Sequence, residues 1–309
     1  MFDVSKSIIQ EIKIDHLSER NIHLFVKRDD LIHPLISGNK WRKLKYNVEV
    51  CLAQKKEGIL TFGGAYSNHL VATAATCHKL KVNSIGIVRG EELNAYSNET
   101  LKQCHDLGMQ LVFISRSEYK LRNEKAFIEE KAIQFPNYFI VPEGGSNYYG
   151  IIGCQEILSG INQDVDHVFV AQGTSTTSCG IALSLKENQT LHVVPALKGY
   201  HSLEEMKLLY LQSALAESEI TDVLQRVVVH NEFHFGGYGK VTDDLVLFIQ
   251  DIFKNYQLKL DPVYTAKTMF ALMDVVQDAS FDNSTILFVH TGGLQGVKGI
   301  EKQIGVELF

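Results

Sequence analysis

The stretch DHVFVAQGTSTTSCGIALSLKEN, residues 166–188, reads as a buried strand, a turn at Gly173 and the start of a helix. Val168, Phe169 and Val170 form a short apolar run of the kind found in strands covered on both faces. The pattern then changes to Thr174, Ser175, Thr176 and Thr177, and from there to helical composition. The same succession appears in GILTFGG (58–64) before SNHLVATAATCHKL (67–80), and in SIGIVRG (84–90) before SNETLKQCHDLG (97–108). QLVFISR (110–116), YFIVPEGG (138–145), LHVVPALKG (191–199) and STILFVHTGG (284–293) are further strands that end at turns. Strand, turn, helix, strand predicts an α/β fold of open, mostly parallel sheets flanked by helices.

The chain of 309 residues is long enough for two lobes. Grouping of the strands predicts a small domain over residues 49–147 and a large one formed by 1–48 with 148–309. The stretch 201–225 is a helix-rich excursion before the strand RVVVH. A hydrophobic content of 45% and a charged content of 21% are those of a globular protein. The net charge of −6 and the scatter of the 30 Lys and Arg argue against nucleic acid or an anionic membrane as a partner. No apolar run reaches the length of a membrane span and no signal peptide is apparent, which predicts a cytoplasmic protein. The five cysteines are odd in number and form no C-x-x-C pair, so they read as small buried residues.

In such folds ligands collect beyond the carboxyl ends of strands, where the unusual residues of this chain recur. Thr174 to Thr177 at a helix start combine backbone N–H groups with hydroxyls into a candidate phosphate cup. In LIHPLISGNKWRKLKYN (31–47), Asn39 or Ser37 is placed to cap a helix with Lys40 in its first turn. The helix end disfavours an ammonium there, and a free amine can form a Schiff base or take a proton. TFGGAYSNH (61–69) sets Ser67, Asn68 and His69 at another helix start, suited to a carboxylate. Tyr238 and Tyr264 each precede a helix and are candidate acids or orienting groups. His230 and His234 flank Glu232, but RVVVHNEFHF has a strand pattern and no metal site is expected.

Taken in order, SGNKWRKLKY, GGAYSNH, VPEGG, GTSTTSCG, GGYG, DPVYTAK and HTGG resemble one group of pyridoxal-phosphate enzymes. It is the tryptophan-synthase-β fold type (fold type II), in the branch with 1-aminocyclopropane-1-carboxylate deaminase and D-cysteine desulfhydrase. The resemblance implies that Lys40 holds pyridoxal 5'-phosphate and moves protons. It implies that Asn68 bonds the ring hydroxyl, that Thr174, Ser175, Thr176 and Thr177 hold the phosphate, and that Ser67, Asn68 and His69 hold the substrate carboxylate. Tyr238 and Tyr264 match two substrate-facing tyrosines, while Arg42, Lys43 and Lys45 are expected to be solvated. A homodimer and a small amino-acid substrate are also implied.

Deaminases of the group carry Glu and Leu where this chain has Thr265 and Thr291, which is the hydroxylated pattern of the desulfhydrases. A threonine beside the pyridine nitrogen supplies no negative charge and leaves a weaker electron sink, sufficient when thiolate leaves Cβ. The expected activity is therefore β-elimination from a small D-amino acid, D-cysteine first. Deamination of the cyclopropane amino acid, or a non-catalytic phosphate-ligand-binding protein, are the other readings. Val71, in place of the group's Arg, and the glycine-poor GTSTT cup leave the substrate side chain open.

Overall fold

The computed structural model describes residues 3–36 and 38–309. Ten strands build two sheets: β1 (Ile9–Ile12), β2 (His23–Lys27), β3 (Gly58–Gly63), β4 (Asn83–Arg89), β5 (Met109–Ile114), β6 (Tyr138–Val141), β7 (His167–Gln172), β8 (Thr190–Pro195), β9 (Val227–Val229) and β10 (Thr285–Val289). The larger sheet runs β1-β2-β10-β7-β8-β9 and the smaller β5-β4-β3-β6. Every pairing is parallel except β1 with β2. Parallel neighbours need crossover helices, and the alternation in the sequence supplies them.

Both faces of the larger sheet are buried, which is why its strands read as continuous apolar runs. Leu24, Val26, Phe169, Ile286 and Phe288 pack on one side, with the helices Asp243–Tyr256 and Thr265–Val275. Val168, Val170, Leu191, Val193, Leu287 and Val289 pack on the other, against Tyr148–Gln155, Thr176–Leu183 and Ser202–Gln212. In the smaller sheet Leu60, Phe62, Ile85 and Ile87 meet Phe127 on one face, while Val88 meets Leu70 of the helix Asn68–Leu80 on the other.

The strand expected over RVVVHNEFHF is shorter than its composition suggests. It ends at Val229, and Asn231–His234 form a 3-10 turn. His230 therefore turns away from His234, whose Nδ1 accepts from the Gly236 N–H at 2.9 Å. The His230 ring joins a buried histidine line instead: its Nε2 lies 3.0 Å from His192 Nδ1, and His192 Nε2 lies 3.1 Å from His167 Nδ1. Phe169 stacks on His192 with ring centroids 4.3 Å apart.

Each contact in that line shares one proton between two nitrogens, and burial lowers the pKa of all three rings, which favours their neutral forms. Burial, helped by the two neighbouring rings, pushes the His192 pKa down from 6.5 to about 3. The unfolded chain takes up this proton near pH 6.5 while the folded chain refuses it until near pH 3. Stability is thus complete above pH 6.5 and falls toward pH 3, by up to ~1.4 kcal/mol per pH unit from His192 alone. Urea midpoints measured between pH 7 and 5 should fall accordingly, and His192→Gln should flatten that slope. An unchanged slope in the variant would show that the line does not govern acid stability.

Candidate active site

Four strand ends of the two sheets bring their loops toward the start of the helix Asn39–Ala53. Its cap is Gly38, with φ 63° and ψ −141°, and no side chain caps it. This differs from the expected Asn39 cap, because Asn39 already lies inside the helix, where its Oδ1 accepts from Lys40 Nζ at 3.0 Å and its Nδ2 donates to Thr177 Oγ1 at 2.7 Å; Ser37 lies outside the described residues. Gly38 N–H donates to the Asp29 carbonyl at 2.9 Å and Asn39 N–H to the Thr291 carbonyl at 3.3 Å. A Cβ on Gly38 would sit 1.7 Å from that Thr291 oxygen. Gly38→Ala is therefore expected to displace the 291–292 turn. It should cost about 1–3 kcal/mol from backbone strain before the collision is added, read as a lowered Tm with weakened cofactor retention.

Lys40 is the second residue of this helix, as expected, and its Nζ donates to Asn39 Oδ1 at 3.0 Å. Its pKa is lowered from 10.5 to about 7. The helix end was the expected cause, but burial leads, the Lys43 charge follows, and the fields of Cys154 and Asp261 oppose the shift. The neighbouring cations are not a solvated face. Arg42 is buried and held by Asp29 through two 3.1 Å bonds, and Lys45 reaches Glu156 at 2.6 Å. Lys43 is buried and its Nζ donates to Thr174 Oγ1 at 3.3 Å, so it belongs to the cup.

The cup forms at the start of the helix Thr176–Leu183, whose first-turn N–H groups lack carbonyl partners within the helix. Thr174 and Thr176 hydroxyls lie 3.3 Å apart beside Lys43. Gly144 and Gly145 press against this point: a Cβ on Gly144 would lie 2.7 Å from Thr174 Cγ2, and one on Gly145 3.0 Å from Lys43 Cβ. The hydroxyls of Ser175 and Thr177 do not turn inward. Ser175 Oγ lies 2.9 Å from the Tyr200 hydroxyl and accepts from Gln172 Nε2 at 3.2 Å, and Thr177 Oγ1 holds Asn39. These two residues can contribute backbone, while Thr174, Thr176 and Lys43 bring side chains.

Ser67 caps the helix Asn68–Leu80 by accepting from the Leu70 N–H at 3.3 Å, which leaves its hydroxyl proton free. Asn68 opens the helix, and its Oδ1 lies 3.6 Å from where a Gly296 Cβ would be. Thr61 Oγ1 donates to the Val141 carbonyl at 2.8 Å and so accepts from His69 Nε2–H at 2.9 Å. His69 Nδ1 is then a buried acceptor with no partner among the described residues. Burial, then Lys40 and Lys43, hold its pKa well below 6.5. A neutral ring in this tautomer does not donate to a carboxylate. With the ring so committed, the group His69 offers a carboxylate is its backbone N–H.

Tyr264 lies against Gly173, where a Cβ would meet its ring at 3.2 Å, and packs edge-on to Tyr238 with centroids 6.0 Å apart. Burial and then Tyr238 push the Tyr264 pKa well above 10, so its hydroxyl stays protonated. Asp261 organises this turn. Its carboxylate accepts from the N–H groups of Val263, Tyr264 and Thr265 at 3.0, 2.9 and 2.9 Å and from the Thr265 hydroxyl at 2.7 Å. Thr265 is fully buried, and its hydroxyl oxygen also accepts from Asp261 N–H at 2.8 Å. The turn thus consumes its hydroxyl. Thr291 is nearly buried and offers its carbonyl to Asn39.

Sequence reasoning missed Lys43, Asp29 and Asp261. The spacing of Lys40 and Lys43, three apart on one helix face, was a usable signal for the first; the other two depend on partners brought in by the fold.

The family profile described as "Pyridoxal-phosphate dependent enzyme" matches residues 10–292. The chain belongs to that family. D-cysteine desulfhydrase of Klebsiella pneumoniae subsp. pneumoniae is 28% identical over 298 residues, covering 90% of this chain and 88% of the relative. A Pyrococcus horikoshii protein named provisionally as a 1-aminocyclopropane-1-carboxylate deaminase is 29% identical over 279 residues, covering 88% of this chain and 85% of its own. The crystal structure of an ACC deaminase homologue superposes with a TM-score of 0.79 at 24% identity, over 98% of this chain and 94% of the other. A hydrogen sulfide-producing enzyme of Fusobacterium nucleatum gives 0.64 at 14% identity over 93% of each chain.

This pyridoxal-phosphate-dependent enzyme has the donor set its cofactor needs. A phosphate would meet Thr174, Thr176, Lys43 and a helix start, and an aldehyde would meet an amine whose pKa is lowered to about 7. The activity class, an enzyme related to deaminases and desulfhydrases, follows from the same comparisons.

Proposed function

We propose that the enzyme eliminates the β-substituent of a small D-amino acid, D-cysteine first, giving pyruvate, ammonia and hydrogen sulfide. The observation that carries this is Lys40, a near-neutral amine one helical turn from the cation of the cup. When bound, pyridoxal phosphate supplies the electron sink for bonds at Cα and Cβ. Lys40 would hold the cofactor, with Lys43, Thr174 and Thr176 at its phosphate and Asn68 at its ring.

Lys40 Nζ can hold or release a proton at neutral pH, which suits it to proton transfer at Cα. Ser67 Oγ–H and the N–H groups opening the helix Asn68–Leu80 bind a carboxylate at the favourable end of the helix dipole. Tyr264, kept protonated, donates to a departing group, and Tyr238 orients it. Residues 49–147, which carry the smaller sheet, act as the domain that closes over the site and excludes water.

A second reading, deamination of 1-aminocyclopropane-1-carboxylate, is favoured by the Asp261 carboxylate 2.7 Å from the Thr265 hydroxyl. That bond brings a negative charge behind the position where a lone threonine offers none. Supplying D-cysteine and the cyclopropane amino acid separately to the holoenzyme decides between them. Pyruvate with sulfide from D-cysteine supports the first reading; 2-oxobutanoate from the cyclopropane substrate alone replaces it with the second.

A further inference from the structure

Arg89 is the last residue of β4, the parallel neighbour of β3, so it emerges on the same rim as the GGAYSNH turn. A Cβ placed on Gly64 would have a single neighbour within 4 Å, the Arg89 Nη2 at 3.6 Å. Space beside the substrate-carboxylate candidates is therefore open except for a guanidinium. Arg89 is exposed and makes no ion pair among the described residues. Its one aromatic neighbour, Tyr119, lies with its ring centre 6.0 Å away.

Glu92, three residues on, is already paired with Arg116. Glu143, at the start of the glycine turn, is held by Arg122 and by the Tyr119 hydroxyl at 2.8 Å. Tyr238, a candidate substrate-facing tyrosine, is about half exposed. A surface arginine is ordinarily a solubility feature. This one differs in facing an empty glycine while having no ion-pair partner among the described residues, beside the candidate carboxylate-binding turn. A fork of N–H donors in that position matches a planar anion.

We propose that Arg89 determines specificity for amino acids whose side chain carries a second anionic group, a carboxylate or a sulfonate. The proposal rests on the reading above, in which the α-carboxylate lies at the Ser67–Asn68 helix start. It adds a substrate class that the desulfhydrase reading does not contain.

The test is a comparison of isosteric ligands, aspartate against asparagine, in both enantiomeric series. Binding to the holoenzyme is measured by titration calorimetry, so that no turnover is needed. Aspartate should bind more tightly than asparagine in one series, by up to ~5-fold, the range of a solvent-exposed ion pair, and the ratio should shrink as salt rises. Arg89→Gln should bring the ratio close to one, Arg89→Lys should keep part of it, and Arg89→Glu should invert it. Unchanged unfolding midpoints would establish that the variants are folded. A wild-type ratio near one in both series, or a ratio that survives Arg89→Gln, overturns the proposal. If the ratio holds but no amino acid yields a keto acid, the elimination reading fails and the ligand class stands.

Discussion

Lys40→Ala should abolish the visible absorption of the lysine-linked cofactor and reduce keto-acid release by on the order of 10²–10⁴-fold or more, the range lost when a positioned proton-transfer group is removed. The expectation comes from the state of the amine. With a pKa of about 7 rather than 10.5, roughly half of Lys40 is a free nucleophile at neutral pH, against about one part in three thousand for an ordinary lysine. Lys40→Arg should fail equally, because a guanidinium stays protonated and cannot bond an aldehyde. Circular dichroism should be unchanged in both, since the one side-chain hydrogen bond of Lys40 among the described residues is local, to Asn39. A dialysed Lys40→Ala protein that kept the visible band would remove this lysine from its assigned role.

The largest effect on stability is expected at Asp29. Its side chain is fully buried and accepts from Ser7 Oγ and from Arg42 Nε and Nη2, while its carbonyl accepts from Gly38 N–H. Asp29→Ala leaves Arg42 with only Glu156, 3.7 Å away, and removes the charge that favours the buried Lys27 ammonium. Breaking such a buried pair costs roughly 3–5 kcal/mol. The backbone around Gly38 should loosen with it, so cofactor affinity falls as well. Because much of the cost is an uncompensated cation, Asp29→Ala combined with Arg42→Met should be more stable than Asp29→Ala alone. Urea denaturation of the three proteins checks this. A single variant within about 1 kcal/mol of wild type would show that the pair carries little.

The fold was readable because its signal is local. Runs such as Val168 to Val170 and Ile85 to Val88 announce strands buried on both faces, and the glycine or hydroxyl clusters after them mark where ligands gather. Lys40 was readable for the same reason, as a residue out of place at a helix start. What escaped depends on contacts between distant segments. Arg42 and Lys43 look like a solvated face until Asp29, Glu156 and Thr174 are folded against them. The cause of the Lys40 pKa escaped too: burial is set by the fold, whereas a helix dipole can be inferred from position. Thr265 is the converse case, a residue chosen by resemblance whose hydroxyl proves committed to Asp261 four residues earlier. The His167, His192 and His230 line draws one ring from each of three neighbouring strand segments, and no spacing within any one of them predicts it.

Lys40 and the buried Lys43 stand three residues apart on one helix, and they are assigned opposite tasks: Lys40 bonds the aldehyde and Lys43 the phosphate. Borohydride reduction of the holoenzyme, followed by proteolysis and peptide mass mapping, separates them directly. The account predicts the pyridoxyl adduct on Lys40 and none on Lys43. An adduct on Lys43, or on neither residue, would contradict it.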